Sequence, residues 1–454
     1  MTIATINPLN GEILQTFTPL TSQEIENKLS LGVNGFQDYR LTSLEFRGEK
    51  LLKAAVILEE NQEKYAQLMT IEMGKPIKQA MTEINKCASV CRFYAENAQK
   101  FLTPKYTDTD ATKSYVTYQP LGIILAVMPW NFPFWQVFRF LSPALMAGNV
   151  GLLKHASNVP QCALAIESIL LSAGFPEGVF QTLLIESPQV EKVLRDTRVK
   201  AVTLTGSELA GKSVASIAGQ ELKKSVLELG GSDPFIVLDD ANIEEAAQVA
   251  VTARLSNNGQ TCIAAKRFIL HHNIADKFQE LLLEKYLNLT LGDPLNPNTD
   301  IGPLATPNIL KDITNQVNKT VEMGAKVLIG GEIMESKGNF YPPTILTDIP
   351  VNSPAMKEEF FGPVALLFRV NNLKEAIDLA NNTIFGLGAS IWTKNEDNIE
   401  IAVRDIESGS VFINGLVKSD LRLPFGGTKQ SGYGRELSIE GMHEFVNIKT
   451  VWQK

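Results

Sequence analysis

The sequence predicts an α/β protein with two parallel-sheet domains and a small β extension, and three observations carry that expectation. The chain has 454 residues, beyond the ~250–300 at which a single core usually stops growing. Short apolar runs at 123–127, 150–153, 179–184 and 201–204 alternate with helical patterns such as 160–173, as in βαβ units. A second alternating series follows Gly230-Gly231, with strands expected over 235–238, 267–270, 364–370 and 411–414.

In chain order, residues 1–101 and 121–230 form the first expected domain, 231–435 the second, and 102–120 with 436–454 the extension. The stretch 103–119 is polar and alternating, which reads as an exposed hairpin, and 445–451 reads as a late strand. Residues 121–138 carry no charge and imitate a membrane span, but Pro129, Asn131 and Pro133 interrupt them. A buried strand, a Pro-bounded loop and a helix fit that segment better. The N-terminus has neither a basic region nor an apolar run of signal-peptide type, so a cytoplasmic protein is expected.

The 42 basic and 50 acidic residues give a net charge of −8, so neither nucleic acid nor an anionic membrane is an expected partner. An anionic substrate would need local positive groups. The four cysteines, Cys87, Cys91, Cys162 and Cys262, show no disulfide spacing. Cys87 and Cys91 share a helical face, yet no second Cys or His pair matches them, so no metal site is expected.

Cys262 closes the segment Asn257-Asn258-Gly259-Gln260-Thr261-Cys262, and Glu228 lies upstream in Leu227-Glu228-Leu229-Gly230-Gly231. A thiol among uncharged small and polar residues suits a nucleophile in a tight backbone setting. A carboxylate beside Gly-Gly suits a general base held close to backbone. The alternative is a buried packing thiol and a solvated helix charge. A rival motif runs from Gly206 through Glu208 to Gly211-Lys212-Ser213 and satisfies the phosphate-loop pattern. A P-loop NTPase would place Lys212 on phosphates and Ser213 on magnesium, but Glu208 would put a carboxylate inside the cradle.

The Cys262 and Glu228 segments, with Pro129-Trp130-Asn131-Phe132-Pro133, Glu359-Phe360-Phe361-Gly362-Pro363 and Pro424-Phe425-Gly426-Gly427-Thr428-Lys429-Gln430-Ser431-Gly432, resemble the aldehyde dehydrogenase superfamily in content and order. The resemblance implies a Rossmann-like dinucleotide-binding domain, a catalytic domain and an oligomerisation arm joining homodimers or homotetramers. It also implies attack of Cys262 on an aldehyde, hydride transfer to a nicotinamide and hydrolysis of a thioester. Asn131 and the Cys262 N–H would hold the oxyanion, and Glu228 would activate the thiol or the water.

No G-x-G-x-x-G follows any strand, so the cofactor residues come from the resemblance alone: Trp130, Gly206, Ser207, Leu229, Glu359 and Phe361. Lys154 and Ser157 would read the adenine ribose where many NAD-preferring relatives carry Glu. NADP is therefore expected to be preferred, with NAD accepted; the alternative for Lys154 is a solvated surface lysine. Glu208 stands where many members carry Thr. Arg139, in an apolar stretch, is expensive to bury without an anion. Its spacing resembles succinic semialdehyde dehydrogenases, where it would hold the substrate's distal carboxylate with Ser419 and beside Trp135. Alternatively it pairs with an internal acid.

Ser256 replaces a second arginine found in several members of that subfamily, with Arg254 or Lys418 as candidate substitutes. Ala264 replaces a second cysteine and removes a local disulfide switch. Succinic semialdehyde is the expected substrate. The competing readings are glutarate semialdehyde or an uncharged aliphatic aldehyde, an NTPase, and a non-catalytic protein of the same fold.

Overall fold

The computed structural model describes residues 3–454. A six-stranded sheet organises the N-terminal half, in the spatial order Gly432–Tyr433, Lys224–Glu228, Val199–Thr205, Ile123–Met128, Val150–His155 and Phe180–Thr182. All neighbours are parallel except Gly432–Tyr433, which runs antiparallel to Lys224–Glu228. The central runs are apolar on both faces because helices cover both, so Ile123, Ile124, Leu125 and Ala126 are fully buried. Each large side chain buried in this way contributes about 1.5–3 kcal/mol.

From Ile123–Met128 the chain builds two strands outward on one side, then returns to build Val199–Thr205 and Lys224–Glu228 on the other. Where the strand order reverses, loops leave the carboxyl ends in opposite directions and open a crevice. Those ends are Met128, Thr205 and Glu228. The residues that follow them, Trp130-Asn131, Gly206-Ser207 and Leu229-Gly230, consequently converge.

A seven-stranded sheet follows Gly231, ordered Lys326–Ile329, Thr344–Thr347, Val364–Val370, Ala265–His271, Asp233–Val237, Ala389–Trp392 and Val411–Ile413. It is parallel apart from the edge strand Lys326–Ile329. Each strand expected from the sequence has a counterpart with ends displaced by a few residues, and 364–370 coincides with Val364–Val370. Just before the boundary expected at 435 the chain returns to the first sheet. Gly432–Tyr433 already belongs to the first sheet, because Gly432, with a φ of 110°, lies so close to Leu227 that a Cβ would stand 2.0 Å from its carbonyl oxygen.

Lys105–Tyr106, Lys113–Pro120 and Val446–Gln453 form a separate three-stranded antiparallel sheet with Lys113–Pro120 in the middle. It projects Tyr106, Ile448 and Trp452 into solvent. The uncharged segment 121–138 divides into a strand, a loop and the start of the helix Trp135–Ala147. Among the described residues no helix is long and apolar enough to cross a membrane.

Candidate active site

The backbone before Cys262 explains its sequence. The helix Ile243–Leu255 ends, and Asn257 (φ 57°, ψ 41°) and Asn258 (φ 58°, ψ 27°) enter the left-handed region together with Gly259 (φ 76°). Asparagine tolerates that conformation because its side chain bonds locally. Here Asn257 Nδ2 donates to the carbonyls of Asn131 at 2.7 Å and Gln260 at 3.1 Å. Asn258 Nδ2 donates to those of Gly74 and Pro303, both at 3.0 Å. A Cβ on Gly259 would meet the Gly362 oxygen at 2.4 Å. Arg254, fully buried, donates to the carbonyls of Phe360 at 2.7 Å, Val364 at 2.5 Å and Gly362. It therefore fastens the 359–363 loop to the nucleophile turn and offers nothing to a substrate.

Cys262 is partly exposed in a cavity of about 250 Å³ that it shares with Trp130, Asn131, Gly206, Leu229 and Glu359. Burial pushes its thiol up to about 12, and the charges of Lys266 and Arg139 pull against that rise. Lys266, fully buried, donates to the carbonyls of Cys262 at 2.5 Å and Thr261 at 2.7 Å and pairs with Glu359 at 3.2 Å. Glu359 also accepts from the Gly231 N–H at 3.1 Å. Gly231 is required, since a Cβ there would lie 2.6 Å from the Cys262 backbone oxygen, while at Gly230 it would lie 2.6 Å from the movable Glu359 Oε2.

Asn131 is held from both ends of its amide. Its Oδ1 accepts from Gln136 Nε2 at 3.0 Å and its Nδ2 donates to the Gln260 carbonyl at 3.0 Å. One Nδ2 hydrogen remains, and the Cys262 N–H has no acceptor among the described residues. The loop itself is anchored by Glu83, which accepts from the Phe134 and Trp135 N–H groups, both at 2.9 Å, at the start of the helix Trp135–Ala147. Lys75 pairs with Glu83 and lies 3.8 Å from the Phe132 ring centre. His155, held neutral by burial with its pKa near about 4, bonds the Pro133 carbonyl at 2.9 Å.

Two expected site residues are absent from the lining of both cavities. Arg139 lines neither this cavity nor the next, because Glu436 pairs with its Nε inside the protein and its guanidinium lies 4.9 Å from the Phe425 ring centre. Its Nε thus meets an internal acid, the alternative partner that burial of an arginine allows. Glu228 ends its strand beside the site, near enough to raise the pKa of the Cys262 thiol electrostatically. It sits where a Cβ on Gly426 would approach Oε1 to 2.8 Å, and it does not line the cavity. Burial and the neighbouring Glu436 raise its pKa well above the ordinary carboxylate range, against Arg139 and Arg435.

A second cavity of about 450 Å³ lies on the other side of the nucleophile segment, lined by Thr261 and Ile263 with Lys86, Trp135, Lys418 and Ser419. The expected Trp135 and Ser419 are both here, and Ser256 is on the rim. Lys86 was not anticipated from the sequence, nor were Lys266 as a ligand of the Cys262 carbonyl or Gln136 as the group orienting Asn131. Lys86 and Gln136 lie on helices and Lys266 on a strand, where each has an ordinary reading.

On the cofactor side, a larger cleft of about 650 Å³ is lined by Ser207, Glu208, Lys357, Glu359 and Phe361. Trp130 and Phe361 meet edge to face, with ring centres 5.8 Å apart. The helix Glu208–Gln220 opens toward this cleft with Ser207 as its N-cap, so its N-terminus suits a phosphate. Only Gly206 and Ser207 separate strand from helix, too short a loop to wrap a phosphate chain, and Lys212 is held outside by Gln430 at 2.9 Å. The P-loop reading fails on that geometry. Lys154 is half-buried at a strand end, its pKa lowered by burial, and no side chain among the described residues bonds its ammonium. Ser157 follows in the same turn and is partly exposed. These donors fit a phosphorylated dinucleotide. No group of three or more His, Cys, Asp or Glu among the described residues is arranged to hold a metal.

The aldehyde dehydrogenase family model matches residues 1–451. A probable succinate-semialdehyde dehydrogenase [NADP(+)] of Synechocystis sp. is 58% identical over 100% of both chains. Succinate-semialdehyde dehydrogenase [NADP(+)] 1 of Mycobacterium tuberculosis is 52% identical, also over 100% of both. Among solved structures, succinic semialdehyde dehydrogenase from Streptococcus pyogenes in complex with NADP+ superposes with a TM-score of 0.97 at 39% identity, covering 99% of each chain. With the nucleophile turn, the Asn131 loop and the crevice at the strand ends all in one place, the chain belongs to the aldehyde dehydrogenase family.

Proposed function

We infer that this protein oxidises succinic semialdehyde to succinate with NADP. The observation that carries the reading is the full-length identity to NADP-linked succinate-semialdehyde dehydrogenases, joined to a partly exposed Cys262 beside an amide with a free N–H. NAD is the weaker cofactor, because Lys154 places a positive charge, and no carboxylate, where a 2′-phosphate would lie.

Cys262 Sγ attacks the aldehyde carbon, and the oxygen becomes an oxyanion between Asn131 Nδ2 and the Cys262 N–H. Each such donor is worth roughly 10²–10³ in rate. Bound NADP supplies the hydride acceptor. Loss of hydride from the former aldehyde carbon leaves a thioester on Sγ. Water then adds to the thioester carbon, the C–S bond breaks, and succinate and the thiolate are released with two protons for each aldehyde oxidised. Glu228 serves as the base for that water by turning from its seat beside Gly426 toward Leu229 and Gly230, which line the cavity. Its raised pKa makes the ionised carboxylate the stronger base toward that water.

The protein acts in the cytoplasm, where its thiols stay reduced, as a homodimer or homotetramer joined through the three-stranded arm and its exposed Ile448 and Trp452. An acid quench during turnover followed by peptide mass spectrometry tests the chemistry. A succinyl group on the Cys262 peptide is expected. Its absence under conditions where NADP is being reduced would overturn the covalent route.

A further inference from the structure

The turn of Lys154 and Ser157 and the loop of Asn131 start side by side. His155 ends the strand Val150–His155 and stands opposite Met128, which ends the parallel strand Ile123–Met128. The first strand runs on into Ala156 and Ser157, the second into Trp130, Asn131 and Pro133. Between them the buried His155 ring makes one bond to each side. Its Nδ1 accepts from the Ala156 N–H and its Nε2 meets the Pro133 carbonyl, both at 2.9 Å.

A neutral imidazole whose Nδ1 accepts carries its proton on Nε2, so Nε2 donates to Pro133. Burial lowers the pKa to about 4, against the bond to Pro133, and the pattern therefore holds at neutral pH. An apolar side chain would fill a buried position without needing partners. Here one rigid ring spans two segments instead. Pro133 lies between Asn131 and Gln136, the residue whose amide holds Asn131 at 3.0 Å and whose N–H donates to the Phe132 carbonyl at 3.1 Å. A shift of the Pro133 carbonyl consequently disturbs the contact that aims the oxyanion donor. On the other side Ala156 directly precedes Ser157, whose carbonyl accepts from the Ala4 N–H at 3.0 Å.

We propose that His155 is a positioning residue that couples these two segments, so that a 2′-phosphate seated on the Lys154 and Ser157 turn steadies the loop that aims Asn131. The proposal rests on the reading of Lys154 and Ser157 as the residues that meet that phosphate. Its consequence is that the preference for NADP appears in turnover as well as in cofactor binding, because an unphosphorylated ribose leaves the turn, and through His155 the loop, less firmly held.

The test measures amide hydrogen exchange of the peptide containing residues 131–136 in the protein without NADP, at saturating 2′,5′-ADP or 5′-AMP, which differ only in the 2′-phosphate and carry no nicotinamide. In the wild type, 2′,5′-ADP should slow that exchange about 3- to 10-fold more than 5′-AMP does, the worth of one hydrogen bond. His155→Asn, whose Oδ1 can replace Nδ1 at Ala156 but whose amide is too short for Pro133, should still bind 2′,5′-ADP and lose the difference. Its kcat with NADP should fall about tenfold and its kcat with NAD by less. His155→Gln, whose Nε2 stands near that of the imidazole, should restore most of the kcat. Equal protection by the two nucleotides in the wild type, or a difference that survives in His155→Asn, overturns the proposal and leaves the function standing. If 2′,5′-ADP binds the wild type no more tightly than 5′-AMP, the phosphate-reading role of Lys154 and Ser157 fails first and the proposal fails with it. Should His155→Asn prove insoluble, the wild-type comparison decides alone.

Discussion

The Lys266 ammonium donates to the backbone carbonyl of Cys262 at 2.5 Å. The same ammonium pairs with Glu359 at 3.2 Å, so one buried charge ties the nucleophile's backbone to the carboxylate on the cofactor side. It also opposes most strongly the burial that raises the thiol's pKa. Lys266→Met should therefore move the pH profile of Cys262 alkylation to higher pH by about one unit or more. NADP should move the wild-type profile the other way, because its oxidised nicotinamide brings a positive charge to the same cavity. The sign is fixed by the thiol: its pKa stands near about 12, so only a rising pH or an added cation can increase the thiolate. Iodoacetamide rates against pH, with and without NADP, check both. Profiles indifferent to Lys266 and to NADP would contradict the electrostatic account.

Asn131→Ala should lower kcat about 10²–10³-fold, with KM nearly unchanged, by removing an oxyanion donor. Gln136→Leu removes the group that fixes the Asn131 amide at 3.0 Å and should cost about tenfold, since the donor survives but loses its aim. Pre-steady-state hydride transfer measures both, and equal losses would mean that Gln136 does more than orient Asn131.

Lys154→Ala should raise KM for NADP about 10- to 100-fold and leave NAD within a few-fold, because the half-buried ammonium has no other partner to lose. Steady-state kinetics with each cofactor decide this. An equal loss for both would place Lys154 outside the phosphate-reading role.

Breaking the buried pair of Arg139 and Glu436 should destabilise the fold. Arg139→Met and Glu436→Gln should each cost about 3–5 kcal/mol, since either leaves a charge buried without its partner. Replacing both together should cost less than the sum. Denaturant unfolding gives the stabilities. Arg139→Met should also lower turnover of carboxylated and uncharged aldehydes by similar factors; a loss confined to the carboxylated one would return Arg139 to the substrate.

What the sequence could and could not disclose follows from range. Cys262 stood out because it closes a turn whose conformation is encoded locally, as Asn257-Asn258-Gly259 shows, whereas Trp130, Asn131, Ser207 and Leu229 came from the resemblance and lie within three residues of a strand end. The strands were legible because both faces are buried and the runs are continuously apolar. Arg139 was ambiguous because a buried arginine looks the same whether its anion is a substrate or a residue from the far end of the chain, and Glu436 is such a residue. Lys86 is one lysine on a long amphipathic helix, and nothing in the helical repeat marks the one that meets Ser419. The surroundings of Glu228 include Gly426 and Glu436, which no local pattern brings near it.

The central claim is an NADP-linked oxidation that passes through Cys262. The most direct measurement is the absorbance of reduced nicotinamide with purified protein and succinic semialdehyde, NADP and NAD in parallel, and Cys262→Ala as the comparison. The account predicts rapid reduction of NADP, slower reduction of NAD and neither in the variant. Reduction that persists in Cys262→Ala, or no reduction of either cofactor by the wild type, would contradict it.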